Sequence, residues 1–385
     1  MPLPDRESPT ENVLIGSGLM KITFIIPFIV LTGGIKAPME YANQLHDLGH
    51  HVILIYPRES PYLQFAKGQR HTVRSSLAKL RGEIRYWASK LSGRTELRWF
   101  DLRAKLIRAP DLSERYIPDG DIVVAVDWTT AEWVNKYGEN KGKKFYLIQG
   151  YEIWSGPKDR VEATWTMPLE KIVISSWLKK IAEKKFGQKV HGPLIHGVDH
   201  KQFYNDNKVY NKDKRIGMMY HDLELKGVSD GLKAFEIAKE QFPNIQLVMV
   251  GVKRPRSGIP SYVEFHANPS PAEMRKIYCS CDIWLCPSRM EGGAMTPQEA
   301  MACKCAVVTT NVGAVLDYAV PGETALVSPP NDPDALARNL IRLLSNEEEL
   351  KRISIAGYEK IKGFTWEKAA KQMESFFYAA LQRGQ

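Results

Sequence analysis

From Lys21 onward, short uninterrupted apolar runs alternate with stretches in which apolar positions recur every three or four residues. The runs KITFIIPFIV, HVILIYP, DIVVAVDW, KFYLIQG and KIVISSW predict strands in the first half of the chain. After Gly197 the rhythm restarts with KRIGMMY, NIQLVMVG, YVEFHA, DIWLCPS, CAVVTT and TALVSPP. Runs that are apolar at nearly every position belong to parallel sheets covered on both faces, and the helical stretches between them supply the crossovers. Gly33-Gly34 opens one helix, which ends near Leu48-Gly49. Asp332 suits an N-cap and Pro333 a first helical turn, introducing the terminal helices PDALARNLIRLL, NEEELKRISIAGYEKI and TWEKAAKQMESFFYAAL. The expected class is α/β, with two Rossmann-like doubly wound domains facing across a cleft. The junction falls in the polar stretch 198–214, giving a leader over residues 1–19, domains over 20–200 and 201–364, and a final helix over 365–385.

Composition refines this picture in three places. With 385 residues the chain exceeds one ordinary core, which agrees with two domains. The longest apolar run, residues 24–31, contains Pro27 and falls well short of the roughly 20 residues a spanning helix needs. The leader has no basic region followed by an apolar run, so it reads as flexible rather than as a signal peptide, and Met20 is a second candidate start. The simplest expectation is a cytoplasmic protein. Five cysteines lie between Cys279 and Cys305, but their C-x-C spacings do not match C-x2-C zinc pairs. Cys286 and Cys305 fall in expected buried strands, where a free thiol packs as a small hydrophobe. The reading is therefore no metal and no disulfide framework.

The formal charge of +9 is local, because residues 67–108 hold twelve Lys/Arg against three Asp/Glu. Val73, Leu77, Leu80, Ile84, Trp87 and Leu91 recur at helical spacing, with Arg70, Arg74, Lys79, Arg81, Arg85 and Lys90 on the other faces. A basic amphipathic helix ending at Gly93 is predicted. It either faces the core with a solvated basic side, or meets an anionic membrane or lipid-linked acceptor through Arg74, Arg81 and Arg85. Nucleic acid fits less well, since no reading helix or stacking motif accompanies the charge.

Residues 288–317, SRMEGGAMTPQEAMACKCAVVTTNVGAVLD, concentrate the candidate chemistry. Glu291 and Glu299 have seven residues between them, including a glycine pair and a helix start. Glycines let backbone N–H groups approach a ligand, a helix N-terminus suits a phosphate, and carboxylates accept from hydroxyls. An anion cradle beside hydroxyl acceptors is what a nucleotide sugar requires. A structural account competes for one of the glutamates: with Thr296 as N-cap and Pro297 as first helical residue, Glu299 has capping-box spacing. No such account covers Glu291 with Gly292-Gly293.

The series E-x7-E, EAMAC, an apolar VV strand, G-x-x-x-D and PGETALVSPPNDPDALA closely resembles the retaining GT-B glycosyltransferases of the family-4 type (glycosyl transferases group 1). KIVISSWLKK, GVDHKQF and the final FTWEKAAKQMESFF also resemble that family, which brings residues 20–380 under the likeness. The resemblance implies an acceptor-binding first domain, a donor-binding second domain and a last helix that crosses back to the first. It implies sugar transfer from a nucleotide-diphosphate sugar to an acceptor hydroxyl with retained anomeric configuration, in glycan, polysaccharide or glycolipid synthesis, with no further cofactor. Glu291 would contact the donor sugar, and Lys226, in a matching K-G element, would neutralise the leaving diphosphate. Backbone at Gly292, Gly293 and Ala294 would hold sugar or phosphate, Met295 and Thr296 would present the helix end, and Glu299 would take the ribose hydroxyls. Gly33-Gly34 matches the family's glycine loop, or is simply a turn. His266 and Asn268 fall at the base pocket.

Two family positions differ. Met218-Met219-Tyr220-His221 stands where an arginine is usual, leaving Arg289, Lys253 or a protonated His221 as substitutes, unless His221 is only a turn residue. Gln149 or Glu152 stands where relatives carry a sugar-contacting histidine. These departures support one other reading, a non-catalytic, glycosyltransferase-like scaffold; a nucleotide-sugar epimerase is a second enzyme class that the same fold would allow. A dehydrogenase is disfavoured, since no G-x-G-x-x-G follows the first strand.

Overall fold

The computed structural model describes residues 18–62, 97, 99–255 and 258–383. The predicted basic helix, with Arg74, Arg81 and Arg85, lies outside the described residues. The first half builds β1 (Lys21–Ile25), α1 (Gly33–Asp47), β2 (His51–Pro57), β3 (Lys105–Ala109), β4 (Ile122–Ala125), α2 (Trp128–Val134), β5 (Lys143–Ile148), α3 (Lys158–Thr164), β6 (Glu170–Val173) and α4 (Ser176–Phe186). The second half builds β7 (Arg215–Met219), α5 (Val228–Gln241), β8 (Gln246–Gly251), β9 (Glu264–Ala267), α6 (Pro271–Ser280) and β10 (Ile283–Cys286). It continues with α7 (Met295–Ala302), β11 (Ala306–Thr310), α8 (Val315–Tyr318), β12 (Leu326–Ser328), α9 (Pro333–Ser345), α10 (Glu347–Ile361) and α11 (Trp366–Gln382).

The sheets have the orders β3-β2-β1-β4-β5-β6 and β9-β8-β7-β10-β11-β12, with every pairing parallel. The two orders are the same pattern, as doubly wound domains require. Strands such as β4 and β10 are buried along their whole length because helices cover both faces. In β10, Trp284 packs on one side of the sheet, while Ile283 and Leu285 pack on the other, as the two-residue period of a strand dictates. Cys286 and Cys305 are buried and unbridged, in keeping with a core role.

The chain crosses between domains at two adjacent places. Val198 and Thr365 form a bridge, and the Val198 N–H donates to the Phe364 carbonyl at 3.0 Å. Beyond that crossing, α11 lies on the first domain. Trp366 meets Tyr41 edge-on at 5.3 Å, Phe377 meets Phe145 at 4.8 Å, and Glu374 pairs with buried His50 at 2.8 Å. Among the described residues no helix is long and apolar enough to cross a membrane.

Candidate active site

Both sheets reverse their strand order beside the first strand of the set, and the candidate residues follow the carboxyl ends of strands around those reversals. Gly33 and Gly34 follow β1, Lys226 follows β7, and residues 289–296 follow β10. Ligands of open α/β sheets bind at such crevices.

Lys226 ends a short 3-10 turn and precedes Gly227, whose φ of 62° is left-handed. A Cβ there would lie 2.0 Å from the Pro287 carbonyl oxygen, so only glycine lets this turn touch the loop after β10. The Arg289 and Met290 N–H groups donate to the Leu225 carbonyl and lock the two loops together. The result is an ion pair: Lys226 Nζ lies 2.8 Å from each oxygen of Glu291. Ser288 also donates to Glu291 at 2.8 Å. Two side chains 65 residues apart in the chain are thus held as one unit.

The helix beside them does not start as its sequence suggests. α7 begins at Met295, and its N-cap is Ala294, left-handed at φ 50°, ψ 60°, with no side-chain cap. Thr296 is inside the helix, so Glu299 closes no capping box. Ala294 keeps this sparsely populated conformation while Tyr318 donates to its carbonyl at 3.1 Å. Glu299 instead takes Lys36 of the first domain at 2.9 Å on one oxygen and the Tyr278 hydroxyl at 2.9 Å on the other. Burial pulls the Lys36 ammonium down, but Glu299, its hydrogen bond, Glu40 and Asp199 outweigh this and raise its pKa. Burial pushes the neighbouring Glu40 carboxyl up to about 7.

Gly292 and Gly293 have a packing role at the floor of the cleft. A Cβ on Gly292 would lie 1.7 Å from the Gln149 carbonyl oxygen of the first domain, and one on Gly293 would lie 2.7 Å from His196 Cδ2. His196 accepts or donates at 3.1 Å to Tyr41 and lies against Trp366, and burial lowers its pKa to about 3. Asp317 of the G-x-x-x-D element crosses the interface too, accepting the Ser176 N–H at the start of α4 at 2.9 Å.

On the first-domain side, Pro38 lies inside α1 and has no N–H for the Gly34 carbonyl four residues back. Gln149 Nε2 donates to that carbonyl at 2.9 Å and to the Val126 carbonyl at 3.0 Å. Gln149 therefore sits between the glycine loop and Gly292. Glu152 is turned inward and accepts from the Trp128 N–H, and burial and then Asp127 raise its pKa to about 8. Asp127 caps the same helix, accepting the Thr130 N–H at 2.8 Å.

The other candidates are engaged elsewhere. Arg289 is a fork on Asp230, at 2.7 and 2.8 Å, and also pairs with Glu224. Lys253 is exposed, 3.7 Å from Asp222. His221 Nδ1 accepts the Leu223 N–H at 3.0 Å, and burial, then Lys226, lower its pKa, which disfavours the protonated form. His266 pairs with Glu264 at 2.7 Å, and the Asn268 N–H donates to the Gly251 carbonyl at 2.7 Å. A cavity of about 490 Å³ lies beside His266, Ala267, Pro269, Lys276 and Ile277. Lys36, Tyr278 and His196 were not singled out by the sequence. Among the described residues no cluster of three or more His, Cys, Asp or Glu is arranged to hold a metal ion.

Residues 200–360 match the family described as glycosyl transferases group 1. An uncharacterized glycosyltransferase of Methanocaldococcus jannaschii is 33% identical over 108 residues, covering 28% of this chain and 31% of its own. The capsular polysaccharide biosynthesis glycosyltransferase CapM of Staphylococcus aureus is 24% identical over 234 residues, covering 56% of this chain and 60% of its own. The chain thus spans less than two thirds of the length of either relative. Anabaena HepE, solved with UDP-glucose, superposes with a TM-score of 0.65 over 94% of this chain and all of its own, at 13% identity. The fold is GT-B.

Proposed function

We propose that this protein, a GT-B chain whose second half matches glycosyl transferases group 1, moves a sugar from a nucleoside-diphosphate sugar to an acceptor hydroxyl with retention of configuration. The Lys226–Glu291 pair beside the start of α7 carries this reading. A lysine and a helix N-terminus supply positive charge where a diphosphate leaves, and a carboxylate supplies the acceptor for sugar hydroxyls. The ammonium and helix end stabilise the charge that develops as the anomeric carbon–oxygen bond breaks. The acceptor hydroxyl adds from the face the diphosphate leaves, and its proton passes to the departing phosphate oxygen. Glu299 takes the ribose hydroxyls, and the cavity beside His266 takes the base. Gln149 supports the glycine loop by holding the Gly34 carbonyl.

HepE, solved with UDP-glucose, makes a UDP-sugar the first donor to try. CapM is named for capsular polysaccharide synthesis, which favours a glycan or lipid-linked acceptor. A cytoplasmic location at the inner membrane face fits such an acceptor and the basic segment of residues 67–108. A screen of UDP-, GDP- and dTDP-sugars for hydrolysis and transfer tests the function. Turnover of one donor that falls sharply in Lys226→Ala and Glu291→Ala supports it. Release of an epimer with no acceptor consumed, or no donor bound at all, refutes it.

A further inference from the structure

A second cation beside Lys226 would add positive charge at the diphosphate, and Arg289 is held away in a fork on Asp230 and a pair with Glu224. Lys36 is placed to supply it. It extends from the first turn of α1 across the cleft to Glu299 on α7 and lies 5.2 Å from the Phe203 ring. The starts of these two helices meet, since a Cβ on Gly33 would lie 3.1 Å from Met295 Cε. Lys36 is three residues into α1 and Glu299 four residues into α7, so their bond lies about one turn, ~5.4 Å, behind the gap between the helix ends. Helical side chains lean toward the N-terminus, and lysine has a flexible four-carbon stem, so the ammonium can swing forward into that gap.

We propose that Lys36 is a diphosphate ligand parked on Glu299, released when the donor's ribose hydroxyls take that carboxylate. It then moves about one helical turn to the phosphates, so one exchange of partners couples nucleotide recognition to cation delivery from the opposite domain. The surroundings keep the lysine charged for this purpose, because Glu299, Glu40 and Asp199 outweigh its burial. The idea rests on the donor reading above and adds to it a residue that makes the second domain's site incomplete without the first.

The test is calorimetric titration of wild type, Lys36→Met and Lys36→Arg with UDP, GDP and dTDP and with uridine, guanosine and thymidine. For the nucleotide that wild type binds, Lys36→Met is expected to hold the nucleoside as tightly as wild type or more so. It should hold the diphosphate at least tenfold more weakly, a difference of about 1.4 kcal/mol. Lys36→Arg restores most of the loss. If Lys36→Met tightens or weakens nucleoside and diphosphate together, Lys36 is only a bridge between domains and the inference is overturned. If wild type binds none of the diphosphates, the donor reading itself falls and takes this inference with it.

Discussion

Gly292→Ala is the sharpest perturbation of the cleft. The new methyl would lie 1.7 Å from the Gln149 carbonyl oxygen and 2.9 Å from its carbon. Real Cβ contacts rarely fall below 3.0 Å, so the loop after β10 and the end of β5 must part by at least ~1.3 Å. Both are backbone, in different domains, and neither can rotate away as a side chain would. Overpacking of this kind costs about 1–3 kcal/mol. Most of that cost falls on the interdomain contact, since each sheet keeps its own core. The same shift moves Glu291, and a misplacement of about 1 Å costs on the order of a hundredfold in rate. The assay is the initial rate of donor turnover, with a thermal melt to report folding. Gly363→Ala is the control, because its nearest contact would be an ordinary 3.6 Å. The expected result is a rate down by about a hundredfold with a modest fall in melting temperature. A Gly292→Ala variant within threefold of wild type would refute the view that this glycine sets the domain contact.

Glu299→Gln removes the carboxylate charge that would accept the ribose hydroxyls, and a charge-assisted hydrogen bond is worth about 1.5–3 kcal/mol, so nucleotide affinity should drop more than about tenfold by calorimetry. Unchanged affinity would remove Glu299 from the donor site. The Glu152 carboxyl, raised to about 8 by burial and Asp127, keeps in the folded state a proton that the unfolded chain releases above its ordinary 4.5. Its stabilisation is complete below that ordinary value and is lost as pH rises through about 8. Melts at pH 6.5 and 8.5 should therefore show wild type losing more stability than Glu152→Gln over that interval. Parallel curves would count against a protonated Glu152. Phe377→Ala empties a fully buried site between α11 and Phe145 and should cost about 3–5 kcal/mol in denaturant unfolding. A cost below 1 kcal/mol would mean that the crossing helix is not part of the first domain's core.

Most of the fold was legible because its strands are buried on both faces and carry continuous apolar runs. HVILIYP reads as a strand and is β2 from end to end. β3 was not legible: it is an edge strand, only partly covered, and Lys105 and Arg108 merge with the surrounding basic segment. The geometry of the candidate site was half legible. Sequence spacing brought Glu291, Gly292, Gly293 and Glu299 together, and likeness added Lys226. It could not give the partners of Glu299, because Lys36 is 263 residues away and reads as a surface lysine on a helix. Nor could it show the start of α7, since nothing in GGAMTP announces that an alanine takes φ 50°. The weights of the two glutamates shift accordingly. Glu299 loses its capping-box explanation, whereas Gly292-Gly293 gains a structural one in the contact with Gln149 and His196.

The central claim is that the Lys226–Glu291 unit acts on a nucleotide sugar. The direct measurement is nucleoside-diphosphate release from UDP-, GDP- and dTDP-sugars by purified full-length protein, compared with Lys226→Met and Glu291→Gln. The account predicts slow release from one donor, lost by at least a hundredfold in both variants while their melting temperatures stay close to wild type. Release that persists undiminished in either variant, or no release from any donor, would contradict it.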